Sequence, residues 1–325
     1  MTSKSVLAWL LQDNQPSIRY RTLTELLGRS QNDSEVRETR ARIPGVGWAA
    51  EILAERNPAG WWVSGENHFR PRYVSTYWKM LVLADLGLTR DLPAIRESVE
   101  VWTRTKPVQR REPGKHLPGF LHLCVVGMSA RAMIQFGYAD DPRVREGLEW
   151  IVKTADPRGG WACMGTPGKG RNIDSSWKAL GALAAFPRSK RTASMQRCIE
   201  RGAEFYLERE LHRQGTRYDP WYRFHYPVHY YYDVLVGLDL LTSLGYGDDP
   251  RLKFALELLM KKRRSDGRWR MDAVHPDNPE GEARYERWYR QHPESRPRPF
   301  ALEKAGAPSK LVTLRALLVL ERVNS

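Results

Sequence analysis

The sequence contains little cysteine and no long apolar run. Its 325 residues include 3 cysteines, too few for a disulfide scaffold and typical of a reducing compartment. The N-terminal apolar run VLAWLL is too short for the core of a signal peptide. No other run approaches the roughly 20 apolar residues that a membrane-spanning helix needs. We therefore expect a cytoplasmic protein.

The sequence also lacks the patterns of the common nucleic-acid-binding modules. The net charge is +14, but the basic residues are spread along the chain and never form a basic tail. No zinc-finger spacing, RNA-binding consensus or basic-zipper pattern is present. We expect no specific binding of nucleic acid. The basic surface leaves open a peripheral contact with an anionic membrane or a phosphorylated substrate, and nothing in the sequence indicates the oligomeric state.

What the sequence does contain is an internal repeat. Residues 137–164 align on residues 245–272 without a gap. The matches include the stretch GY-DDPR at the start and a glycine and a tryptophan near the end, which are Gly159 and Trp161 in one copy and Gly267 and Trp269 in the other. Such self-similarity indicates a repeat architecture.

Each repeat predicts a pair of helices. An apolar helix comes first, and the DDPR turn follows, with aspartate as the N-cap and proline in the first helical turn. An amphipathic helix and a Gly–Trp turn complete the unit, and the tryptophan is expected to fill the gap between neighbouring pairs. Weaker copies cover residues 75–102 and 174–207. The predicted aromatic turns lie at Trp61, Phe120, Trp161, Trp221 and Trp269.

The pattern predicts an all-α fold, an α/α toroid of about five to six helical hairpins. The apolar helices form the inner layer and the amphipathic helices the outer layer. Residues 309–320 form a last apolar helix that needs a cover, which the N-terminal helices can supply by closing the ring. An open helical repeat is the alternative.

We interpret the chain as one domain over residues 1–325. Residues 1–56 would close the ring, residues 57–271 would form the hairpin repeats, and residues 309–325 would form the closing inner helix. Residues 272–308 break the repeat and are rich in proline and arginine. A loop of this length is typical of a flap over one mouth of the ring, and a surface wrap is the alternative.

Helix pairs closed by RGGW or DGRW resemble the superfamily of terpenoid cyclases and protein prenyltransferases. More narrowly, the chain resembles small prokaryotic prenyltransferase-like proteins, whose activity is not established. The resemblance implies functional roles for Asp174, Arg171, Trp177 and His229. However, the Asp-x-Asp-Asp motif of class II cyclases is missing, and Ser176 stands where prenyltransferases have a zinc-binding cysteine. Because a hydroxyl replaces a thiolate poorly on zinc, we expect neither a metal nor another cofactor.

The candidate catalytic residues are Asp174, His229 and Asp233. His229 and Asp233 are four residues apart, so we expect them on one helix face, where the carboxylate would orient the imidazole as a general acid. The alternatives are an N-cap for Asp174 and a purely structural His–Asp hydrogen bond.

The candidate substrate-binding residues come from the inner helices, the loops that lead into them and the flap. They are Tyr73, Tyr77, Trp78, His122, Lys169, Arg171, Trp177, Tyr230, Tyr231, Tyr232 and Trp288. Aromatic faces can stabilise a carbocation, and the basic residues can pair with a diphosphate. For the aromatic residues and His122, packing in the core is the alternative.

These observations predict an isoprenoid-handling enzyme that binds an apolar small molecule, with or without a diphosphate, in an aromatic-lined cavity. Two alternatives stay open. A non-catalytic binding or scaffold toroid would have a centre filled by side chains. A carbohydrate-active lyase or hydrolase would need a polar, wet groove.

Overall fold

The computed structural model describes residues 3–104, 122–163, 170–213, 218–274 and 286–324. Regular structure within these ranges is helical, and extended pairing there is limited to two isolated bridges, His225 with Ala273 and Arg270 with Pro308. The predicted all-α class is confirmed.

The α-helices in the described ranges, numbered in chain order, are α1 (Lys4–Leu10), α2 (Pro16–Arg21), α3 (Ser34–Arg42), α4 (Trp48–Ala54), α5 (Thr76–Asp85), α6 (Pro93–Arg104), α7 (Leu123–Gln135), α8 (Pro142–Thr154), α9 (Ile173–Ala185), α10 (Ala193–Leu207), α11 (Val234–Ser243), α12 (Lys253–Lys261), α13 (Glu286–Gln291) and α14 (Lys310–Val323). A π-helical segment, Thr22–Leu26, extends α2. Short 3-10 helices cover Ile43–Gly45, Arg188–Lys190, Asp219–Tyr222, Pro250–Leu252 and Pro293–Ser295.

The apolar helices α5, α7, α9, α11 and α14 form an inner ring. They are buried on nearly every side, as the sequence predicts; in α5 every residue from Thr76 to Ala84 is buried. Each inner helix packs against the next, α5 on α7, α7 on α9, α9 on α11 and α11 on α14. The centre of the molecule is therefore built from residues that the sequence marks as apolar.

The N-terminal helices close the ring. Helix α14 packs on α2 and its π-helical extension, and the Lys310 Nζ donates a hydrogen bond to Gln12 Oε1 at 2.9 Å. Tyr20 of α2 lies beside Gly87, which follows α5. The chain ends thus meet, and the predicted α/α toroid is confirmed in preference to an open superhelix.

The amphipathic helices form the outer layer. Helix α6 packs on α5, α8 on α7, α10 on α9 and α12 on α11. Helix α8 shows the pattern: Val144, Leu148 and Ile151 are fully buried, at spacings of three and four residues, and each such side chain contributes about 1.5–3 kcal/mol. The predicted aspartate caps are also present, because Asp141 and Asp249 each accept a backbone N–H two residues ahead.

Gly–Trp turns connect the outer layer to the inner layer at three places. The glycines are Gly60, Gly159 and Gly267, with φ of 99°, 84° and 81°. The tryptophan Nε1 atoms of Trp62, Trp161 and Trp269 donate to carbonyls of the preceding outer helix at 2.8, 2.9 and 2.8 Å. Their backbone N–H groups donate to Thr76, Ser176 and Thr313 in the inner helices at 2.9, 2.9 and 3.0 Å. The tryptophans therefore fill the gaps between hairpins, as predicted.

Two details of the predicted turns are different in the structure. Trp62, not Trp61, occupies the repeated position, because it is two residues after the positive-φ glycine, as in the other turns. Trp221 belongs to a 3-10 helix, Asp219–Tyr222, and not to a Gly–Trp turn. Phe120 lies outside the described residues.

The described part of the predicted flap lies against the loop that precedes α5. The Arg72 guanidinium donates to the Tyr289 hydroxyl at 2.7 Å, and the Arg298 N–H donates to the Arg72 carbonyl at 3.2 Å. None of the helices in the described ranges is both long enough and apolar enough to cross a lipid bilayer.

Candidate functional site

The candidate residues gather at one end of the toroid, where α5, α7, α9 and α11 begin. We call this end the N-terminal mouth. The Tyr77 hydroxyl donates to the Val125 carbonyl at 3.2 Å, which joins the first turns of α5 and α7. Trp78 contacts Tyr230, in the loop before α11, with ring centroids 5.2 Å apart. The fold thus brings together residues that are far apart in sequence.

A cluster of aromatic rings fills part of the N-terminal mouth. Trp78 lies edge-on to Tyr77 at 4.9 Å and to His229 at 5.1 Å between ring centroids. His229 stacks on Tyr73, with centroids 5.6 Å apart and an interplanar angle of 5°. All four side chains are buried. Because these four side chains pack on one another, they form part of the core at this end of the ring.

Asp174 lies in the first turn of α9, but it does not cap the helix. The cap is Asn172, whose side chain accepts the Ser175 N–H at 2.7 Å. Burial raises the pKa of the Asp174 carboxyl group, and the ammonium group of Lys178 opposes the shift. The Trp221 indole and the Tyr232 backbone amide also favour the ionised form. Asp174 is therefore a partly buried carboxyl among aromatic rings.

Lys178, one turn after Asp174, was not predicted as a site residue. Its side chain is buried, and its Nζ donates to the Asp174 carbonyl at 2.5 Å. The ammonium group lies 5.3 Å from the Trp177 ring centroid and 5.5 Å from that of Tyr230. Burial lowers the pKa of Lys178. The sequence signal that could have identified Lys178 is the presence of a lysine within an otherwise apolar inner helix.

The expected pairing of His229 with Asp233 is wrong. Helix α11 begins at Val234, so His229 precedes the helix. The spacing of four residues therefore does not place His229 and Asp233 on one helix face. Asp233 is the N-cap and accepts the Val236 N–H at 2.8 Å. Its other carboxylate oxygen lies 2.6 Å from Nδ1 of His225. Both partners are buried, so His225, not His229, forms the His–Asp pair.

A pocket of about 530 Å³ opens beside this pair, and the described part of the predicted flap, residues 272–308, forms most of its lining. Tyr73 and Tyr231 form part of its wall, and their hydroxyls are 3.3 Å apart. Its charged lining residues are Arg223, Asp272, Glu286 and Arg296. Asp272 is paired with Lys262 at 2.7 Å and Arg296 with Glu286 at 2.9 Å. The pocket therefore combines aromatic surface with two guanidinium groups and two carboxylates, and three of these four charged groups take part in ion pairs.

The remaining predicted residues have different surroundings. Arg171 donates to the carbonyls of Arg158 and Gly159, at 2.9 and 3.1 Å, and so contacts a Gly–Trp turn. Tyr232 is buried and donates to the Leu211 carbonyl at 2.8 Å. Trp288 lies under the Arg70 guanidinium at 4.4 Å. His122 is exposed at the start of α7, and Lys169 lies outside the described residues.

Ser176 has a structural role. Its hydroxyl accepts the Trp161 N–H at 2.9 Å. Within the described ranges, no three His, Cys, Asp or Glu side chains are grouped as metal ligands would be.

The comparisons with known proteins show only distant likenesses. No protein-family profile matches the sequence, and no curated protein matches it. The structure of a protein from Actinoplanes is similar to this one over 99% of this chain and 98% of the Actinoplanes chain, with 17% sequence identity and a TM-score of 0.46. A variant of the type II terpene cyclase MstE from Scytonema, solved with its substrate geranylgeranyl dihydroxybenzoate, covers 95% of this chain and 86% of its own, with 17% identity and a TM-score of 0.42. These likenesses assign neither a family nor an activity.

Proposed function

We propose that the protein is an isoprenoid-handling enzyme that binds an apolar substrate at the N-terminal mouth and uses Asp174 as a general acid. The observation that carries this proposal is the Asp174 carboxyl, whose pKa is raised by burial. A carboxylic acid that keeps its proton nearer neutral pH can protonate an alkene or an epoxide.

The surroundings of Asp174 suit the cation that such a protonation creates. Trp177 belongs to the same helix, and Trp221 packs edge-on to Tyr232 with centroids 5.8 Å apart. An aromatic face stabilises a desolvated cation by about 0.5–2 kcal/mol. Lys178 already shows such contacts, because its ammonium group lies near two ring faces.

The pocket lined by the flap suits the polar end of an amphipathic substrate. Arg223 lines it together with Tyr73 and Tyr231, whereas the second lining arginine, Arg296, is paired with Glu286. Guanidinium groups bind carboxylate and phosphate oxygens in pairs. We therefore assign the anionic head group to this pocket and the apolar chain to the aromatic surface next to it.

Asp233 and His229 have no catalytic role in this proposal. One carboxylate oxygen of Asp233 accepts the Val236 N–H, and the other is hydrogen-bonded to His225. Both oxygens therefore make structural contacts. His229 stacks on Tyr73 and lies edge-on to Trp78. We interpret both as residues that shape the mouth.

The test is product analysis by liquid chromatography and mass spectrometry. Farnesyl diphosphate, geranylgeranyl diphosphate and a prenylated aromatic carboxylic acid are incubated with the wild-type protein, with Asp174→Asn and with Asp248→Asn. Asp248 is exposed in a turn and provides the matched control. We expect Asp174→Asn to lower turnover by at least about 100-fold and Asp248→Asn to leave it unchanged. Equal turnover in all three proteins would remove Asp174 from the mechanism.

One observation favours a second candidate, a non-catalytic binding toroid. The rings of Tyr77, Trp78 and His229 pack directly on one another and so occupy part of the centre. This candidate predicts that the wild-type protein and Asp174→Asn bind the same isoprenoid equally well and that neither converts it. That result would replace the enzymatic proposal.

A further inference from the structure

Two cysteines from distant parts of the sequence meet at the N-terminal mouth. Cys124 lies in the first turn of α7 and is buried, whereas Cys163 precedes α9 and is exposed. Their Sγ atoms are 3.9 Å apart. The Leu123 N–H donates to the Cys163 carbonyl at 3.0 Å, so the two backbones are held next to each other.

The two thiols have opposite electrostatic environments. The hydrogen bond from Cys124, and next the contact with His122, lower the pKa of the Cys163 thiol to about 4. The contact with Cys163 and burial raise the pKa of Cys124. The buried ammonium group of Lys178 interacts with both sulfurs. The exposed and the buried sulfur thus lie within hydrogen-bond distance of each other, and the exposed thiol has the lower pKa of the two.

We propose that Cys124 and Cys163 form a redox-active dithiol that reduces a hydroperoxide and closes into an intramolecular disulfide. The Cys163 thiolate attacks the terminal peroxide oxygen, the S–O bond forms, and the O–O bond breaks. The leaving alkoxide takes up a proton and departs as an alcohol, or as water from hydrogen peroxide. The sulfur of Cys124 then attacks Cys163, the S–O bond breaks, and the Cys124 proton leaves with the hydroxide as water.

The geometry permits the second step with local movement. A disulfide bond is about 2 Å long, so the two sulfurs must approach by about 2 Å. Cys163 is exposed, and rotation of its side chain can supply this movement. Cys198 supplies an internal control in the same chain, because burial raises the pKa of its thiol to about 12. This reactivity does not depend on isoprenoid binding.

The test exposes the fully reduced chain to hydrogen peroxide and follows its intact mass and peptide map over time. We expect a mass loss of two hydrogen atoms, a peptide cross-link between Cys124 and Cys163, and an unmodified Cys198. Cys163 should be oxidised at least about tenfold faster than Cys198, because the exposed Cys163 has the higher thiolate fraction at neutral pH. Cys198→Ser should behave as the wild-type protein.

The cysteine variants separate the two steps. Cys163→Ser should abolish the fast reaction. Cys124→Ala, which retains a small apolar side chain, should stop at a sulfenic acid that dimedone traps. Circular dichroism establishes that each variant is folded. The proposal is overturned if Cys163 reacts no faster than Cys198, or if the wild-type protein forms a disulfide between two chains in place of the internal one.

Discussion

Gly159→Ala tests how the Gly–Trp turn is seated between two hairpins. Gly159 has a φ of +84°, and a Cβ atom there would lie 2.1 Å from the carbonyl oxygen of Arg201 in α10. The obstacle is helix backbone, which cannot rotate away as a side chain can. Gly245 is the matched control, because its φ is +97° and its added Cβ would meet nothing within 4 Å.

Both substitutions carry the same conformational cost. An L-residue in the left-handed region loses about 1–2 kcal/mol. Forcing extra volume into a packed contact adds about 1–3 kcal/mol, and only Gly159→Ala has this second cost. We therefore expect Gly159→Ala to lower the free energy of unfolding by about 3 kcal/mol and Gly245→Ala by about 1 kcal/mol.

The assay is urea unfolding followed by circular dichroism and tryptophan fluorescence. The midpoint should fall much further for Gly159→Ala than for Gly245→Ala, with an unchanged denaturant slope. Equal losses for the two variants would mean that the turn does not press on α10. The role assigned to the repeated Gly–Trp turns would then be wrong.

Three further predictions concern stability. Trp62→Phe should lower the free energy of unfolding by about 1–2 kcal/mol, because it removes the buried hydrogen bond from the indole N–H to the Ile52 carbonyl. The neighbouring Trp61→Phe should lower it by less than about 0.5 kcal/mol, and urea midpoints that rank the two variants in the opposite order would restore Trp61 as the repeated residue. Burial alone would raise the pKa of Asp239, but the guanidinium groups of Arg315 and Arg322 outweigh burial and lower this pKa. The Asp239 carboxylate therefore stabilises the fold at pH values above the ordinary aspartate pKa of about 4. This stabilisation is lost as the pH falls through the lowered pKa. Asp239→Asn should therefore reduce stability at neutral pH by about 2 kcal/mol and weaken the fall of stability in acid; an unchanged acid profile would contradict this. Lys178→Met should raise the melting temperature, because it removes the cost of burying an ammonium group, and a lower melting temperature would show that the ammonium group contributes net stability.

The fold could be predicted from the sequence because its signals are local and repeated. The apolar helices, the aspartate caps at Asp141 and Asp249 and the Gly–Trp turns each depend on residues close together in the chain. The need to cover the last apolar helix then predicted ring closure. In the first turn, two consecutive tryptophans made the register ambiguous. The positive φ of Gly60 and the hydrogen bonds of Trp62 to α4 and α5 show that Trp62 is equivalent to Trp161.

The candidate site was less predictable because its contacts join distant segments. The partner of Asp233 is His225 and not His229, since the chain is not yet helical at His229. The N-cap of α9 is Asn172 and not Asp174. The burial of Lys178 is evident only in the structure, although a lysine within an apolar helix was a signal in the sequence. The roles of Asp174 and Asp233 depend on where their helices begin: α9 begins earlier than a cap at Asp174 would require, and α11 begins later than a pairing of His229 with Asp233 would require.

The most direct test of the functional proposal is the dissociation constant of geranylgeranyl diphosphate, measured by titration calorimetry. The wild-type protein, Arg223→Gln and Arg197→Gln are compared. Arg223 belongs to the pocket lined by the flap, whereas Arg197 is exposed on α10, and both variants lose one positive charge. We expect saturable binding to the wild-type protein, about tenfold weaker binding to Arg223→Gln, and no change in Arg197→Gln. An absence of binding to the wild-type protein, or equal weakening in both variants, would contradict a substrate site at the N-terminal mouth.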